Sequence, residues 1–308
     1  MTADVAALAP GGVLVVDKPA GPTSFDVVAR VRRLLRAPKA GHTGTLDPLA
    51  TGVLAVCVGD ALKLQRFLSD GDKAYRAVFA FGAATATQDA EGVVVARGDP
   101  SRLDAAAIRA TLARFVGDLE QLPPMYSAVR VGGRRLHEAA RAGEEVERRP
   151  RRVHVAALEL EEVAPTGDLL RATIAVRCGK GTYVRTLAAD VGTALGVPAH
   201  LASLRRLAAG PFGIEEAIAL ADAERLAAAG PAALAARLVP VADALRSWPS
   251  VRLAEEAARD LGHGRAVAAG SLPPGTLCRA LDGDGRLLAV CEERAGLLRP
   301  VRVLRPIR

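Results

Sequence analysis

The stretch GHTGTLDPLATGVLAV, Gly41 to Val56, joins a polar loop to an apolar run and contains one acidic residue, Asp47. The other polar side chains of this loop are threonines and one histidine, His42. From local pattern alone, an aspartate before a proline is more often a turn former or a cap than a catalyst. The apolar run at 53–58 predicts a strand buried on both faces. A loop held by such a rigid element is a common place for functional residues.

Composition excludes a membrane span. The chain has 308 residues and half of them are hydrophobic, yet no apolar run approaches the roughly 18 to 20 residues that would cross a bilayer. The first residues lack the basic region of a signal peptide. We therefore expect a cytoplasmic protein with no membrane partner.

The cysteines give no sign of a disulfide or a metal site. The chain has four of them, far apart and without a C-x-x-C pair. Buried cysteines usually pack as small hydrophobic residues. We expect neither a metal nor a cofactor.

The charge favours a polyanionic partner. The formal net charge is +7 and the pI is about 9.7, and most of the basic residues are arginines. Such a balance is typical of nucleic-acid binding, although an Ala- and Arg-rich composition can also reflect a general compositional bias of the source organism. Charge alone therefore does not decide the function.

Periodicity and turn signals divide the chain into alternating elements. Ser24 is the predicted N-cap of a helix that runs to about Arg36. Further predicted elements are strands at 74–81, 153–163 and 170–177, helices at 103–115 and 186–195, and a helical Ala-rich stretch at 219–245. The best candidate boundary is WPS at 248–250, and the segment beyond it, with an Asp-Gly turn between two strand-like runs, predicts a small β-rich domain.

The segment at about 121–152 differs in composition from its surroundings, because it is rich in Gly, Pro and Arg. Eight arginines lie between 130 and 152, opposed by four glutamates. Charge runs are usually solvated loops, but arginine also binds phosphate and stacks on bases. Both interpretations remain open at this point.

Three Gly-containing loops that follow or precede strands each supply a different chemical group. GHTGTLDP contains Asp47, GDKAYRA contains Tyr75, and CGKGTYVRT contains Arg185. Taken singly, the tyrosine fits a half-buried core position and the arginine a solvated charge. No one of these signals is specific by itself.

Five ordered blocks of the chain together resemble a known family. The blocks VDKPAGPTSFDVV, GHTGTLDPLATGVL, DKAYRA, PPMYSAVRVGGRRLHEAARAGEEV and CGKGTYVRTLAADVG are similar to the signature blocks of the bacterial tRNA pseudouridine-55 synthases. The resemblance runs from about Gly12 to Gly213. It implies an α+β fold: a pseudouridine synthase domain at 1–248 with a mixed, largely antiparallel sheet flanked by helices, an RNA-binding insertion at about 121–152, and a PUA-like RNA-binding domain at 249–308.

The resemblance also implies a reaction. A uridine in the T arm of tRNA is flipped out, detached at its glycosidic bond, turned and rejoined through C5, without a cofactor. A carboxylate can attack covalently and leave again, so one acid suffices. Whether it attacks C1′, adds to C6 or takes a proton to give a glycal stays open. The protein is expected to act as a monomer without an obligatory protein partner; a tRNA-folding chaperone and the same chemistry on another RNA are the competing hypotheses.

Site residues follow from the motif positions that match. The resemblance implies that Asp47 is the catalytic carboxylate, that Arg185 pairs with it and keeps it ionised, and that Tyr75 stacks on the flipped base and assists proton removal from C5. A neutral phenol is a poor base, so stacking is the safer assignment.

The remaining candidates concern RNA binding. Leu204 would form an apolar wall of the pocket. His42 would contact RNA near the target or only bond its own turn, Lys18 would contact phosphate or be solvated, and Tyr183 would line the pocket or be structural. The insertion adds Arg148 and Arg149 as phosphate contacts.

Overall fold

One mixed sheet carries all three polar loops. The structure, a computed structural model, describes residues 11–127, 130–131, 134–136, 144 and 146–304. Within these residues the strands are β1 (Gly11–Lys18), β2 (Ala40–His42), β3 (Thr51–Gly59), β4 (Lys73–Phe81), β5 (Ala83–Thr85), β6 (Val94–Arg97), β7 (Gly117–Gln121), β8 (Arg130–Val131), β9 (Arg134–Arg135), β10 (Arg151–Thr166), β11 (Leu169–Cys178), β12 (Ala199–Ala209), β13 (Phe212–Gly213), β14 (Ile218–Ala219), β15 (Val239–Pro240), β16 (Ser250–Arg252), β17 (Val267–Ala268), β18 (Leu277–Leu281), β19 (Leu287–Arg294) and β20 (Leu297–Val303).

Helices are fewer than strands in the described part of the chain. The α-helices of the described part are α1 (Ser24–Leu34), α2 (Gln65–Ser69), α3 (Ala105–Ala113), α4 (Val184–Ala194), α5 (Leu220–Ala228), α6 (Pro231–Ala235) and α7 (Glu255–Gly262). Short 3₁₀ turns lie at Asp60–Leu64, Ile214–Glu216 and Asp243–Leu245. No helix among the described residues is long and apolar enough to cross a membrane.

The strand order of the main sheet is β14-β1-β3-β12-β4-β11-β10-β7, with β2, β13 and β15 pairing at its sides. Most neighbours are antiparallel, and β12 is parallel to β3. The helices pack beside the sheet, so the predicted α+β fold with a mixed, largely antiparallel sheet is confirmed. The run at 53–58 is buried throughout, as its lack of polar residues predicts.

Helix α1 begins one residue away from the predicted cap. Thr23 is the N-cap: its side chain accepts from the backbone N–H of Asp26, and the Asp26 carboxylate accepts from the Thr23 N–H in return, a capping box. Ser24 is instead buried in the first turn. The prediction of Ser24 as the N-cap was wrong. Thr23 and Ser24 both have a hydroxyl, but only Thr23 has an acidic residue, Asp26, three positions later to complete the capping box.

Two other helices depart from the sequence pattern. Helix α4 begins at Val184, before the predicted start, and so includes Arg185 in its first turn. The Ala-rich stretch forms two short helices rather than one, because Gly230 has a φ of 130° and Pro231 starts the second helix. Proline cannot continue a helix but fits its first turn.

The C-terminal residues form a second, five-stranded sheet with the order β16-β18-β19-β20-β17. Its side chains share an apolar cluster with the main sheet, in which Leu281, Leu287 and Leu304 pack with Val13 and others. Lys63 also donates to the Leu304 carbonyl at 2.6 Å. Because the two parts share this core, the domain boundary at 248/249 stays a prediction.

Gly52 allows β3 and β12 to approach at the end of the Asp47 loop. It has a φ of 100°, and a Cβ on it would lie 2.1 Å from the Arg206 carbonyl oxygen. Both the left-handed conformation and the close backbone contact exclude other residues. The glycine therefore fixes where the Asp47 loop ends and the strand begins.

We expect Gly52→Ala to lower the free energy of unfolding by more than about 2 kcal/mol, because backbone strain and a backbone clash add together. Urea unfolding measures it. Gly167→Ala is the matched control, since Gly167 has a φ of 57° with nothing within 4 Å of an added Cβ; it should cost only about 1 to 2 kcal/mol. Equal losses in the two variants would contradict the close-approach account.

Candidate active site

Two of the three polar loops meet at an ion pair between Asp47 and Arg185. The distance between Arg185 Nε and Asp47 Oδ2 is 2.8 Å. The arginine side chain is 4% exposed, whereas the carboxylate side chain is 33% exposed. The pair thus has a buried cation and an acid that faces the open side, an arrangement suited to present one carboxylate oxygen to a ligand.

The rest of the Arg185 guanidinium is also bonded. One Nη donates to the Thr87 carbonyl at 3.1 Å and lies 3.5 Å from Asp89 Oδ2. The other Nη donates to the Tyr126 carbonyl at 3.0 Å. Arg185 therefore joins the Asp47 loop to the 87–89 turn and to the start of the 121–152 insertion, and its orientation is fixed by groups from three segments.

Asp89 is a site residue that sequence reasoning missed. It is 4% exposed, and its Oδ1 accepts from the Thr87 hydroxyl and from the Glu91 N–H. The reaction that the resemblance implies requires only one acid. A second carboxylate nevertheless lies across the Arg185 guanidinium from Asp47. The signal available was the polar turn TQDAEG after β5, which has no hydrophobic pattern of its own.

Burial raises the pKa of the Asp47 carboxyl above its usual value. The positive charges of Arg185 and Lys18 oppose this shift, and the negative charge of Asp89 reinforces it. Arg185 pairs with Asp47 as expected and favours its ionised form, but burial sets the direction of the shift; that the acid is ionised at neutral pH stays a prediction. The site maintains a carboxylate that is more basic than an exposed one.

Lys18 holds the loop from inside. It is completely buried, and its Nζ donates to the carbonyls of Pro19 at 2.8 Å and Pro48 at 3.1 Å. Burial lowers the pKa of this ammonium to about 8. The expected contact with RNA phosphate is not compatible with this position, because a fully buried ammonium presents no surface to a phosphate. Its role is to fix the residue that follows Asp47.

The residue before Asp47 is fixed in a similar way. The Ser24 hydroxyl accepts from the Leu46 N–H at 2.8 Å and donates to the Leu46 carbonyl at 2.9 Å. The Gly21 N–H donates to the Pro48 carbonyl at 2.9 Å. The segment that leads into α1 therefore runs directly along the Asp47 loop and restrains both sides of the acid.

Arg206, on β12, is a second residue that sequence reasoning missed. It is 2% exposed, and its guanidinium donates to the carbonyls of Val53 at 2.6 Å, Gly44 at 3.1 Å and Thr45 at 3.3 Å. Within the described residues it forms no ion pair with a carboxylate. The sequence offers only the doublet Arg205–Arg206, which does not distinguish a buried arginine from an exposed one.

Tyr75 and Leu204 lie on neighbouring strands, β4 and β12, beside Asp47. Tyr75 and Leu204 are each 8% exposed and belong to one apolar cluster with Leu46. Burial raises the pKa of the Tyr75 phenol, so the side chain is neutral at ordinary pH. The structure thus brings both predicted pocket residues to the loop that holds the acid.

His42 is at the end of β2, which pairs with β3. Its Nδ1 is buried without a hydrogen-bond partner among the described residues. Burial and the nearby charge of Arg206 lower the pKa of the ring, which is therefore uncharged at neutral pH. This nitrogen therefore gives no support to the alternative that the histidine side chain only bonds its own turn. The backbone carbonyl of His42 accepts from the Gln65 side-chain amide at 2.7 Å.

Tyr183 acts through its backbone in this structure. Its N–H donates to the Gln121 side chain at 3.0 Å, and its carbonyl accepts from the same amide at 3.3 Å. These bonds connect the start of α4 to the end of β7. The side chain is half-buried, so neither the pocket-lining nor the structural hypothesis is decided.

The predicted insertion is described in part. Residues 128–129, 132–133, 137–143 and 145, with Arg141 among them, lie outside the described residues. Arg148 donates to the Pro123 carbonyl at 3.0 Å, and Arg149 is exposed. Arg151 and Arg152, which begin β10, are exposed as well.

Three family models match consecutive parts of the chain. They are described as TruB family pseudouridylate synthase (N terminal domain) at residues 32–184, tRNA pseudouridylate synthase B C-terminal domain at 185–246, and tRNA Pseudouridine synthase II, C terminal, at 248–305. Together they cover almost the whole chain, including the segment beyond residue 213.

Similar proteins agree with these models. A protein named tRNA pseudouridine synthase B from Stutzerimonas stutzeri (strain A1501) is 46% identical over 296 residues, 96% of this chain and 95% of that protein. One of the same name from Thiobacillus denitrificans (strain ATCC 25259 / T1) is 47% identical over 293 residues, 95% of each chain. Among solved structures, a chain of a Cbf5-Nop10-Gar1 complex is 27% identical with a TM-score of 0.74, covering 96% of this chain and 85% of that one.

We expect Arg206→Met to lower the free energy of unfolding by at least about 3 kcal/mol, because one buried and two partly buried hydrogen bonds from a charged donor are lost. The neighbouring Arg205→Met is the control: Arg205 is partly exposed and paired with Asp17, and such a pair is worth about 1 kcal/mol or less. Urea unfolding of both variants measures the difference. A loss for Arg206→Met no larger than for Arg205→Met would contradict a role of Arg206 in holding the loop.

Proposed function

The chain belongs to the TruB family of pseudouridylate synthases, and we propose that it converts the uridine at position 55 in the T arm of tRNA to pseudouridine. The observation that carries the proposal is the ion pair of Asp47 with the buried Arg185 at the junction of two of the three polar loops. The names of the similar proteins support the substrate class. The enzyme acts in the cytoplasm as a monomer, without an obligatory protein partner.

Asp47 supplies the covalent step in this proposal. The reaction breaks the bond from C1′ to N1 and makes one from C1′ to C5, so no water has to be activated. A carboxylate that is more basic than usual, yet held ionised by a guanidinium, suits attack followed by departure. The arrangement is compatible with attack at C1′, addition to C6, or proton abstraction that gives a glycal.

In the same proposal, Asp89 orients the Arg185 guanidinium. It lies on the far side of Arg185 from Asp47 and is itself fixed by Thr87 and the Glu91 N–H. We assign it a positioning role, because its carboxylate lies 3.5 Å from a terminal nitrogen of Arg185 and thereby favours the orientation in which Nε faces Asp47.

The neighbours of Asp47 have binding roles. Tyr75 stacks on the flipped uracil, and Leu204 forms the apolar wall opposite, since both belong to the cluster that includes Leu46. The raised pKa of Tyr75 makes stacking its main contribution. His42, whose ring is uncharged and only half-buried, contacts the RNA beside the vacated position in the T loop.

The insertion closes over the RNA. Flipping a base out of its stack costs a few kcal/mol, and contacts to the backbone must offset it. Arg148 and Arg149 bind phosphates in this proposal. The hydrogen bond from Arg185 to the Tyr126 carbonyl supports it, because this bond ties the start of the insertion to the catalytic pair, so RNA bound by the insertion would affect the acid directly.

We expect Asp47→Asn to abolish pseudouridine formation while tRNA affinity stays within about tenfold of wild type, because binding is spread over many phosphate contacts. Tritium release from C5-labelled uridine in a T-arm stem-loop measures formation, and filter binding measures affinity. Asp118→Asn is the control, since Asp118 is an exposed acid paired with His154. Turnover by Asp47→Asn comparable to wild type would refute the assignment.

The pH dependence tests the electrostatics of the pair. Because the pKa of Asp47 is raised, its carboxylate takes up a proton at higher pH than an ordinary aspartate, and the single-turnover rate should fall as the pH drops through that value. Asp89→Asn removes a negative charge that raises this pKa. In the variant, the fall of the single-turnover rate on the acidic side of the pH profile should therefore occur at lower pH. A fall displaced to higher pH would contradict the arrangement.

A further inference from the structure

One face of α1 exposes an aromatic ring and a row of arginines. Phe25 is 75% exposed, and Arg32, Arg33 and Arg36 are exposed as well. The spacing from Phe25 through Ala29 to Arg32 and Arg33 is four residues and then three or four, which aligns these side chains along one stripe of the helix. Arg36 follows two residues after Leu34, the last helical residue. The opposite face is buried and packs on the sheet through valines and leucines.

The arginines of this face lack acidic neighbours. No aspartate or glutamate occurs from Val27 to Leu46. Arg30, on the flank of the helix, pairs with Glu224 at 3.1 Å, but no ion pair of Arg32, Arg33 or Arg36 occurs within the described residues. Three exposed guanidinium groups without carboxylates form a local positive field that favours phosphate.

The aromatic end of the stripe adjoins the catalytic loop. Ser24, the residue before Phe25, is bonded to both the N–H and the carbonyl of Leu46, which precedes Asp47. Helix α1 has 11 residues and is therefore about 16 Å long. The arginines lie towards its far end, so the stripe leads away from the acid over a distance that spans two or three phosphates of an RNA strand.

An exposed phenylalanine is costly to solvate unless a partner covers it. Bases stack on aromatic side chains with little sequence preference, and arginines that follow along the same strand neutralise its phosphates. The order along the helix, an aromatic ring beside the catalytic loop and cations farther out, matches an RNA whose target base is unstacked at Asp47.

We propose that this face of α1 binds the tRNA substrate, with Phe25 stacking on an unpaired base next to the target nucleotide and with Arg32, Arg33 and Arg36 binding backbone phosphates. The inference rests on the proposed function, since it takes its ligand from there. It adds a binding surface at the β1 side of the sheet, distinct from the insertion, which connects β7 to β10 at the other side.

The test compares three variants in an Asp47→Asn chain, in which binding is measured without conversion of the RNA. Phe25→Ala should weaken binding of an unmodified tRNA transcript at least about five-fold, and Phe25→Trp should retain it. The triple variant Arg32→Gln, Arg33→Gln, Arg36→Gln should reduce the slope of log Kd against log salt by about two to three. Phe25→Ala should leave that slope unchanged.

A second triple variant is the matched control. Arg102, Arg109 and Arg114 are exposed arginines on and around α3, which packs beside β10 at the opposite end of the sheet, and their change to Gln removes the same charge. We expect a much smaller change in slope. Equal slopes for the two triple variants would show an effect of net charge only and would overturn the proposal.

Three further outcomes separate the hypotheses. If wild type forms pseudouridine but Phe25→Ala binds tRNA as tightly as the parent, the proposal for α1 fails and the proposed function stands. If wild type forms no pseudouridine while the Phe25 and arginine variants bind tRNA more weakly as expected, the proposed function fails instead. Self-association that Phe25→Ala abolishes, with unchanged affinity for tRNA, would assign the ring to a protein contact and overturn the RNA contact.

Discussion

The ion pair between Asp47 and Arg185 is the interaction on which the rest of the site depends. A buried ion pair is weak evidence for stability, because desolvation offsets much of the Coulomb attraction. Its cost is better explained by what it does: it favours the ionised form of an acid in a place where burial favours the protonated form. Every segment that contacts Arg185, from the 87–89 turn to Tyr126, restrains the direction of that acid.

The loop that contains the acid is held by cations that bind its carbonyls. Lys18 bonds Pro48, and Arg206 bonds Gly44, Thr45 and Val53. Hydrogen bonds from charged donors are stronger than neutral ones, so these contacts restrain the loop backbone firmly. Burial and the charge of Arg206 lower the pKa of His42, so the ring beside this loop is neutral.

Sequence predicted the order and type of most elements, because the apolar runs at 53–58 and in β4 and β11 have no other plausible environment than a sheet. It also predicted Asp47, Tyr75 and Arg185, but through motif resemblance rather than through spacing. It missed Asp89 and Arg206, since nothing local distinguishes a buried charged residue from a solvated one; only the packing of β12 against β3 buries Arg206. It assigned Lys18 to RNA for the same reason, and the structure places that ammonium inside.

The role of Asp47 can be tested by a structure of the Asp47→Asn chain bound to a T-arm stem-loop. We expect the target uridine to be flipped out of the loop, with its ring on Tyr75 and its C1′ and C6 within contact distance of residue 47. A uridine that remains stacked in the T loop, or one that contacts a different acid, would contradict the account.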